Sequence, residues 1–364
     1  MRRLRALVLH ASSAENATFS YQIGWPRALA RDARFDARLV NVAARGAIDR
    51  LSALWTIRAG RFDVVILLHS VFSNGRMLDG VLFDAVRTLS APKVYFIGNE
   101  YKLMPEKMAF AESLGIALLV SQSSAPRVHR LYRERLGCEV TGIPNTGIDL
   151  ERFHPAADPE TRPIDLGYRS DDSPPYLGHN ERRQMAEYFQ RHAADLGLRV
   201  DASLDPADRL GEADWAAFLN RCRGQLGTEA GGDYFSLTDE YRLPVIAFIA
   251  QHPDAAFDEI QARFFTGVSR AMPLRIISGR NVEAAATKTV QLLLEGEYDG
   301  YFRADEHYIP LKKDFSNVTD AVAKFRDRSF CRTLTDNAYA LATREFTYEA
   351  LVGRVRDAVQ PLVS

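Results

Sequence analysis

The chain alternates short, continuous apolar runs with helical patterns, and this alternation restricts its fold more than any other feature. Strands are predicted in the first half at residues 6–10, 37–42, 64–69, 93–98 and 117–122. A run such as VVILLH has no polar alternation, which is typical of a strand buried on both faces of a parallel sheet. Helices are predicted between the strands, for example at 21–31, 80–89, 106–114 and 125–136. These patterns predict a doubly wound α/β sheet.

A second alternating set follows a turn-rich segment at residues 143–163, which contains PNTG and HPAADP. Strands are predicted there at 164–168, 198–203, 224–229, 274–277, 290–294 and 308–311. Helices are predicted at 182–196, 214–222, 254–265, 318–328, 329–344 and 347–359. A chain of 364 residues is too long for one ordinary core. The sequence therefore predicts two α/β domains.

Composition excludes several classes of protein. The formal net charge of −1 gives no indication of nucleic-acid binding. Three widely spaced cysteines argue against a disulfide framework and a cysteine zinc site, and favour a cytoplasmic protein. The apolar run after Arg2, Arg3 and Arg5 is too short for a signal peptide or a spanning helix, so it is interpreted as a strand. Peripheral contact of these arginines with the inner membrane is an open alternative.

The stretch from 278 to 314 has the pattern of half a nucleotide-binding sheet. A turn at Ser278 and Gly279 leads into a short helix at 280–288, and two apolar strands at 290–294 and 308–311 follow. Ligands of such sheets bind at the carboxyl ends of the strands. Ser278 and Gly279 are predicted to leave the first backbone N–H groups of their helix free for an anion. From the same turn, Glu283 could reach a ribose hydroxyl.

The motifs of this stretch, the last of which continues to Asn317, are R-x-x-E-A-A-A, E-G-E-Y-x-G and H-Y-I-P-L-x-x-D-F-S-N. With them the chain resembles the donor domain of GT-B glycosyltransferases, of the group-one (family four-like) type from bacterial cell-surface polysaccharide biosynthesis. PNTGIDLERFHP is similar to the segment that begins the second domain, and REFTYEALVGRV to the closing segment. The resemblance implies two Rossmann-like domains facing a cleft. They would be an acceptor-side domain at 1–150 and a donor-binding domain at 151–345, with a closing helix at 346–364 that packs on the first domain.

The activity implied by the resemblance is transfer of a sugar from a nucleotide sugar to a surface-glycan acceptor, such as lipopolysaccharide or capsule. The donor would be a UDP- or GDP-sugar, the acceptor a glycan or lipid-linked glycan, and no metal or other cofactor is expected. The class implies retention of configuration. However, Arg275 stands eight positions before Glu283, where the group-one pattern has a first glutamate. Two alternatives stay open, namely a non-catalytic nucleotide- or sugar-binding partner subunit and another GT-B enzyme such as a sugar-nucleotide epimerase.

Candidate donor-binding residues lie at strand ends and helix starts of the second half. Arg169 follows a predicted strand, and Arg280 opens a helix, where its charge opposes the helix dipole and so favours a functional role such as bidentate phosphate binding. Glu229 is a candidate for the missing sugar contact and for catalysis, because flanking glycines allow close approach to a ligand. The full predicted donor set is Arg169, Gly227, Thr228, Glu229, Ser278, Gly279, Arg280 and Glu283.

The first half offers polar residues at the ends of its predicted strands. His69 or Glu100 is a candidate general base for an acceptor hydroxyl, or binds the acceptor. Further candidates for acceptor contacts are Ser12, Ser13, Asn16, Gly24, Ser70, Asn99 and Ser121. The sequence lacks GxGxxG after a strand, GxxxxGK[ST], HExxH and GxSxG. Dehydrogenase, P-loop NTPase, zinc-protease and α/β-hydrolase activities are therefore disfavoured.

Overall fold

The structure, a computed structural model, describes residues 2–12, 20–268 and 272–363, without the side chain of Ser20. It divides into two compact units. The first comprises Met1–Gly147, Phe235–Glu240 and Tyr348–Ser364, and the second Ile148–Tyr234 and Tyr241–Thr347. Ser13 and Asn16, which were candidates for acceptor contacts, lie outside the described residues.

The first unit contains a parallel six-stranded sheet in the order β2-β1-β3-β4-β5-β6. Its strands are β1 (Leu4–His10), β2 (Phe35–Asn41), β3 (Val64–Leu67), β4 (Lys93–Phe96), β5 (Ile116–Ser121) and β6 (Glu139–Gly142). Its helices are α1 (Ser20–Arg31), α2 (Ala47–Ala59), α3 (Gly80–Arg87), α4 (Met104–Leu114), α5 (Pro126–Leu136) and α13 (Tyr348–Val359). The order of strand addition reverses at β1. Strand β2 lies on one side of β1, and β3 with the later strands lies on the other.

The last helix completes the core of this unit. Leu351, Val352 and Val355 of α13 are fully buried against the apolar side chains of α1 and the sheet. Gly24 of α1 lies directly against the ring of Tyr348, so that any larger residue at this position would clash. The close contact between α1 and the start of α13 therefore requires glycine at position 24, which was a candidate for an acceptor contact.

The second unit contains a parallel five-stranded sheet in the order β13-β12-β9-β7-β8. Its strands are β7 (Ile164–Arg169), β8 (Val200–Ser203), β9 (Cys222–Gly227), β12 (Val290–Leu294) and β13 (Ile309–Leu311). Its helices are α6 (Glu181–His192), α7 (Glu212–Arg221), α8 (Arg242–Gln251), α9 (Phe257–Phe264), α10 (Gly279–Ala286), α11 (Val318–Arg326) and α12 (Arg328–Glu345). Two apolar clusters cover the faces of this sheet.

The doubly wound α/β class is confirmed, and one predicted strand has a different role. The run at 274–277 was expected in the parallel sheet. Instead β11 (Leu274–Ile276) pairs antiparallel with β10 (Ala230–Gly232) in a separate ribbon. Gly231 makes this pairing possible, since it has φ +90° and leaves no space for a side chain beside the Leu274 carbonyl. Helices α2 and α8 and strand β6 were not predicted. In the described part of the chain, no helix is long and apolar enough to cross a membrane.

Candidate functional site

Each parallel sheet has one switch point, where neighbouring strands are followed by connections on opposite sides of the sheet. Ligands of doubly wound sheets bind at the carboxyl ends of the strands at this point. In the first unit the point lies between β1 and β3, and in the second between β7 and β9. These two places are therefore where this fold is expected to bind a ligand.

The switch point of the second unit carries a small, mostly polar pocket. Its lining residues come from the ends of β7 and β9 and from the first turns of α6 and α10, and they are Tyr168, Ser170, Arg182, Leu226, Gly227, Thr228, Ser278, Arg280 and Asn281. A Cβ at Gly227 would lie 3.0 Å from Asn281 Nδ2 and 2.8 Å from Leu293 Cδ2. Glycine therefore lets the β9 end lie beside the start of α10.

Two arginines give the pocket its charge. Arg182 and Arg280 are each the second residue of a helix, α6 and α10 respectively, where a cation opposes the helix dipole. Neither forms an ion pair with a carboxylate among the described residues, and Arg182 makes only a long hydrogen bond, 3.4 Å, to the Asp171 carbonyl. Burial and the charge of Arg182 lower the pKa of Arg280. The pair is thus electrostatically unfavourable until an anion binds.

The start of α10 provides further donors for such an anion. Ser278 caps the helix, and its own N–H donates to Asn281 Oδ1 at 3.1 Å, so this amide is not one of the free donors. Gly279 and Arg280 occupy the first two helical positions, whose N–H groups have no partner within a helix. Their amides and the two guanidinium groups form a set of donors that suits a phosphate group.

Arg169, predicted to bind a phosphate, has hydrogen-bond partners within the second unit. Its guanidinium donates to the carbonyls of Tyr168 and Asp201, each at 3.0 Å, and to Asp201 Oδ1 at 2.6 Å. It also lies over the Phe218 ring, 4.6 Å from the centroid. Arg169 therefore connects β7 to β8 and does not line this pocket, and phosphate binding by Arg169 stays a prediction.

Glu283, predicted to contact a ribose, is buried on α10. Its Oε2 accepts a hydrogen bond from Trp215 Nε1 at 2.8 Å. The side chain of Glu283 is not among those lining the small pocket. The structure therefore shows this carboxylate holding α7 against α10, and contact with a ribose stays a prediction.

Glu229, predicted to contact the sugar, holds the loop that follows β12. Its Oε1 accepts from the backbone N–H groups of Tyr298 at 2.7 Å and Glu297 at 3.2 Å. Burial raises the pKa of Glu229 to about 7, against the opposing effect of the Tyr298 hydrogen bond. The TEAGG segment and the EGEY motif are thus linked by one carboxyl group. Contact with a sugar stays a prediction.

Arg275, which stands in place of a first glutamate, belongs to a buried ionic cluster. It pairs with both oxygens of Glu181, at 2.8 and 3.0 Å, and with Asp233. Lys313 also pairs with Glu181, at 2.9 Å. Although burial opposes it, the charge of Arg275 helps to lower the pKa of Glu181 to about 2. The cluster fixes the start of α6, and with it the position of neighbouring Arg182.

The motifs at residues 295–300 and 307–317, which carry the resemblance, serve mainly to hold loops in place. The Tyr298 hydroxyl donates to the Leu294 carbonyl at 2.6 Å, and Asp299 accepts from the Ile277 N–H at 2.9 Å. Asn317 bonds the backbone of Lys312 and Pro310 before α11. The Asp299 contact places the turn before α10, so the motif supports the pocket without lining it.

At the switch point of the first unit, His69 lies in an aromatic environment. Its ring centroid is 5.2 Å from that of Phe96, 5.9 Å from that of Tyr21 and 6.2 Å from that of Trp25. Burial lowers the pKa of His69 to about 3, and Nε2 has no hydrogen-bond partner among the described residues. His69 is therefore neutral at pH 7, and as a base its low pKa makes it weak.

Glu100, the other predicted base, accepts hydrogen bonds from three donors. Its oxygens accept from Gln122 N at 2.6 Å, Tyr132 Oη at 2.7 Å and Ser121 Oγ at 2.8 Å. Burial raises the pKa of Glu100, and these hydrogen bonds oppose the shift. The carboxyl and Ser121 fix the end of β5 to α5, which is a structural arrangement.

The remaining predicted polar residues of the first unit also have internal partners. Ser70 Oγ accepts from the Ala11 N–H at 2.9 Å, which joins the ends of β1 and β3. Ser12 Oγ contacts His10 Nδ1 at 2.9 Å, and Asn99 Nδ2 donates to Ser73 and Asn74 at 3.0 and 2.8 Å. Ser12, His69 and Ser70 follow β1 and β3, the two strands of the switch point, and acceptor contact by them stays a prediction.

Sequence reasoning missed Arg182, Tyr168, Ser170 and Asn281 of the pocket. A signal for Arg182 was present in the sequence, because it stands in a helix's first turn, as Arg280 does, where arginine is electrostatically unfavourable. Asn281 could have been suspected from its place three residues after Ser278 in a capping box. Tyr168 and Ser170 could have been suspected because they end the strand next to the switch point.

Comparison with solved structures shows that the fold is that of GT-B glycosyltransferases. Sucrose-phosphate synthase from Thermosynechococcus elongatus matches with a TM-score of 0.56 and 11% identity, over 99% of each chain. Anabaena HepE in complex with UDP-glucose matches with 0.53 and 11%, over 99% of this chain and 100% of that one. The DNA-modifying enzyme β-glucosyltransferase matches with 0.55 and 10%, over 99% of each chain.

At these identities the likeness establishes the fold alone. No protein-family model matches the chain, and no curated protein matches it. The GT-B fold expected from the sequence motifs is thus confirmed. Its structural neighbours include glycosyltransferases. Membership of the group-one class stays a prediction.

Proposed function

We propose that the protein is a glycosyltransferase that binds the diphosphate of a nucleotide sugar at the switch point of its second unit. The observation that carries this proposal is the pair Arg182 and Arg280. Both are half-buried, both lack a carboxylate partner among the described residues, and both lie in the first turn of a helix beside the same pocket. A bound diphosphate would remove the repulsion between them.

The chemistry of transfer matches this arrangement. When the bond between sugar and diphosphate breaks, negative charge develops on the leaving diphosphate. Donors that are already in place stabilise this charge without reorganisation, which lowers the barrier. Arg182, Arg280 and the first amides of α10 supply such donors. Because the cations come from the protein itself, we propose that transfer needs no divalent metal, so activity should persist in excess EDTA.

Two structural neighbours provide support for the donor class. The HepE structure contains UDP-glucose, and the β-glucosyltransferase is described with uridine diphosphoglucose as its substrate. We therefore propose a UDP-sugar as the first donor to test and a GDP-sugar as the second. For the acceptor we propose a surface glycan or its lipid-linked precursor. Retention of configuration is also proposed, on the similarity of the 278–314 motifs to the group-one class.

Thermal unfolding with a panel of nucleotides tests the donor site. A ligand that binds only the folded protein raises its melting temperature by mass action. Two guanidinium groups predict that a nucleoside diphosphate stabilises more than its monophosphate, and the free nucleoside least. The expected series for the correct base is UDP above UMP above uridine, or the same order for guanosine compounds.

Equal stabilisation by UDP, UMP and uridine would show that the phosphates are not bound, and would contradict the proposal. Absence of stabilisation by every nucleoside diphosphate at millimolar concentration would contradict it as well. Release of free UDP or GDP from the matching nucleotide sugar, measured with and without a glycan acceptor, then separates a transferase from a protein that only binds.

A further inference from the structure

An apolar stripe lies exposed along α2 of the first unit. Ile48, Leu51 and Trp55 are 83%, 66% and 72% exposed. They stand at i, i+3 and i+7, which places them on one side of the helix, while Ala53 and Ile57 are buried on the other. Single exposed apolar residues are ordinary, but a contiguous group of large ones marks an interaction surface.

Two elements that contact α2 also expose large apolar side chains. Helix α3 packs against α2 and exposes 54% of Val81, and strand β2, which also contacts α2, exposes 40% of Leu39. We call these exposed apolar residues of three contacting elements, Leu39, Ile48, Leu51, Trp55 and Val81, the docking face. It lies at the β2 edge of the six-stranded sheet.

The segment that carries most of the docking face is strongly basic. Residues 31–61 contain seven arginines and three aspartates, with no lysine or glutamate, in a chain of formal net charge −1. Five of these arginines are exposed and form no ion pair with a described residue, namely Arg31, Arg38, Arg45, Arg58 and Arg61. Arg58 follows Trp55 by three residues and therefore lies on the same side of α2 as the apolar stripe. The segment that carries the exposed apolar side chains therefore also carries an excess of positive charge.

We propose that the docking face binds the surface of an anionic lipid bilayer. Helix α2 would lie in the plane of the interface, with Trp55, Leu51 and Ile48 among the headgroups and upper acyl chains. Tryptophan is favoured at this depth, and basic residues gain from the negative surface potential. A second copy of this chain is a poor occupant, because it would bring the same unpaired arginines against one another.

The N-terminal arginines, which the sequence suggested for membrane contact, are engaged within the protein. Arg2 and Arg5 pair with Asp63, at 2.6 and 2.8 Å, and Arg3 donates to the Phe35 carbonyl at 2.7 Å. Membrane contact is therefore assigned to α2 and its neighbours. This inference is independent of the proposed activity, since bilayer binding needs no nucleotide.

Co-sedimentation of the purified full chain with lipid vesicles tests the inference. Vesicles of phosphatidylcholine alone are compared with vesicles containing phosphatidylglycerol, at low salt and at 150 mM salt. Binding is expected only to the anionic vesicles and should weaken with salt. The double variant Arg58→Glu/Arg61→Glu should lose at least about 25-fold in binding, since each arginine near the surface contributes about fivefold. Leu51→Ser/Trp55→Ser should abolish detectable binding.

Matched controls come from elsewhere on the surface. Arg191 and Arg221 are exposed and each lies in the last turn of its helix, as Arg58 does. Arg191→Glu/Arg221→Glu changes the net charge by the same amount and should keep the binding of the wild type. Leu243 and Ile246, 57% and 40% exposed on α8, provide the apolar control as Leu243→Ser/Ile246→Ser.

Three results would overturn the inference. The first is absence of binding to anionic vesicles. The second is an equal loss of binding in the control and test variants. The third is that the wild type binds no vesicles but sediments as a dimer, and that Trp55→Ser disrupts this dimer. Unfolding temperatures of all variants are measured beforehand, so that a loss of binding is scored only for folded protein.

Discussion

Both parallel sheets of this molecule carry polar side chains beyond the carboxyl ends of their strands, yet only in the second unit do two such described arginines lack a carboxylate partner. In the first unit the Glu100 carboxyl accepts hydrogen bonds from three donors, and Ser70 and Asn99 are also bonded within the unit. In the second unit Arg182 and Arg280 have no carboxylate partner among the described residues. Since partly buried charges are normally paired, the unpaired ones indicate where a ligand completes the structure.

The same contrast exists inside the second unit. Arg169, Arg275 and Arg280 all lie near ends of its strands, but Arg169 and Arg275 are engaged by carboxylates and carbonyl groups. A strand-end arginine is therefore not by itself evidence of phosphate binding. The number of partners it already has separates a structural arginine from a binding one.

The largest effect is expected from Glu100→Ala. This change removes a buried acceptor from three donors, which are then left without partners, and we expect it to lower the free energy of unfolding by about 4 kcal/mol. Chemical denaturation measures the loss. Glu100→Gln keeps one carbonyl acceptor and should cost clearly less. If Glu100→Ala were as stable as the wild type and lost only activity, Glu100 would be a catalytic residue and not a structural one.

A pH dependence is expected from Glu229. Its pKa is about 7 in the folded protein against 4.5 for the unfolded group, so the folded state holds the proton more tightly. Its contribution to stability is therefore present below pH 4.5 and is lost as the pH rises to 7, by up to about 3 kcal/mol. Unfolding free energies of the wild type and Glu229→Gln, compared at pH 5 and pH 8, measure this. The wild type should lose stability relative to the variant as the pH rises, and a constant difference would contradict the assignment.

Arg169→Gln is expected to reduce stability without affecting nucleotide affinity. The change removes hydrogen bonds to Tyr168 and Asp201 and the contact with Phe218, at a cost of about 1–2 kcal/mol. Denaturation and nucleotide titration of the same variant separate the two effects. A loss of affinity larger than the loss of stability would return Arg169 to the donor site.

The smallest change in stability is expected from Arg280→Gln. Removing the charge relieves repulsion from Arg182 and the cost of partial burial, so the free energy of unfolding should stay within about 0.5 kcal/mol of the wild type or rise slightly. Denaturation of the nucleotide-free protein measures it. A loss above about 2 kcal/mol would mean that Arg280 has a structural partner and is not held ready for a ligand.

The fold was largely predictable from the sequence, because buried parallel strands produce uninterrupted apolar runs such as VVILLH and VQLLL. The strand at 274–277 was misassigned, since a segment as short as LRII carries no information on its partner and Gly231 decides the antiparallel pairing. Helix α2 was missed for a related reason. Its apolar residues face outward at Ile48, Leu51 and Trp55, so the pattern did not indicate a buried face.

The candidate site was predictable only in part. Arg280, Ser278, Gly227 and Thr228 line the pocket, and each was proposed from its place at a helix start or strand end. Arg169, Glu229 and Glu283 were proposed on the same grounds, but Asp201, the Tyr298 amide and Trp215 engage them. These partners are distant in sequence, and only the folded structure brings them into contact.

Calorimetric titration with the nucleoside diphosphate that raises the melting temperature most is the direct test of the donor site. The wild type is compared with Arg182→Gln/Arg280→Gln and with Arg183→Gln, a neighbouring exposed arginine that pairs with Asp172 and Glu187. Each charge-assisted hydrogen bond contributes about 1.5–3 kcal/mol, so the double variant should bind at least about 100-fold more weakly, while Arg183→Gln binds as the wild type does. Unchanged affinity in the double variant, with the protein folded, would contradict the assignment of the diphosphate to these two arginines.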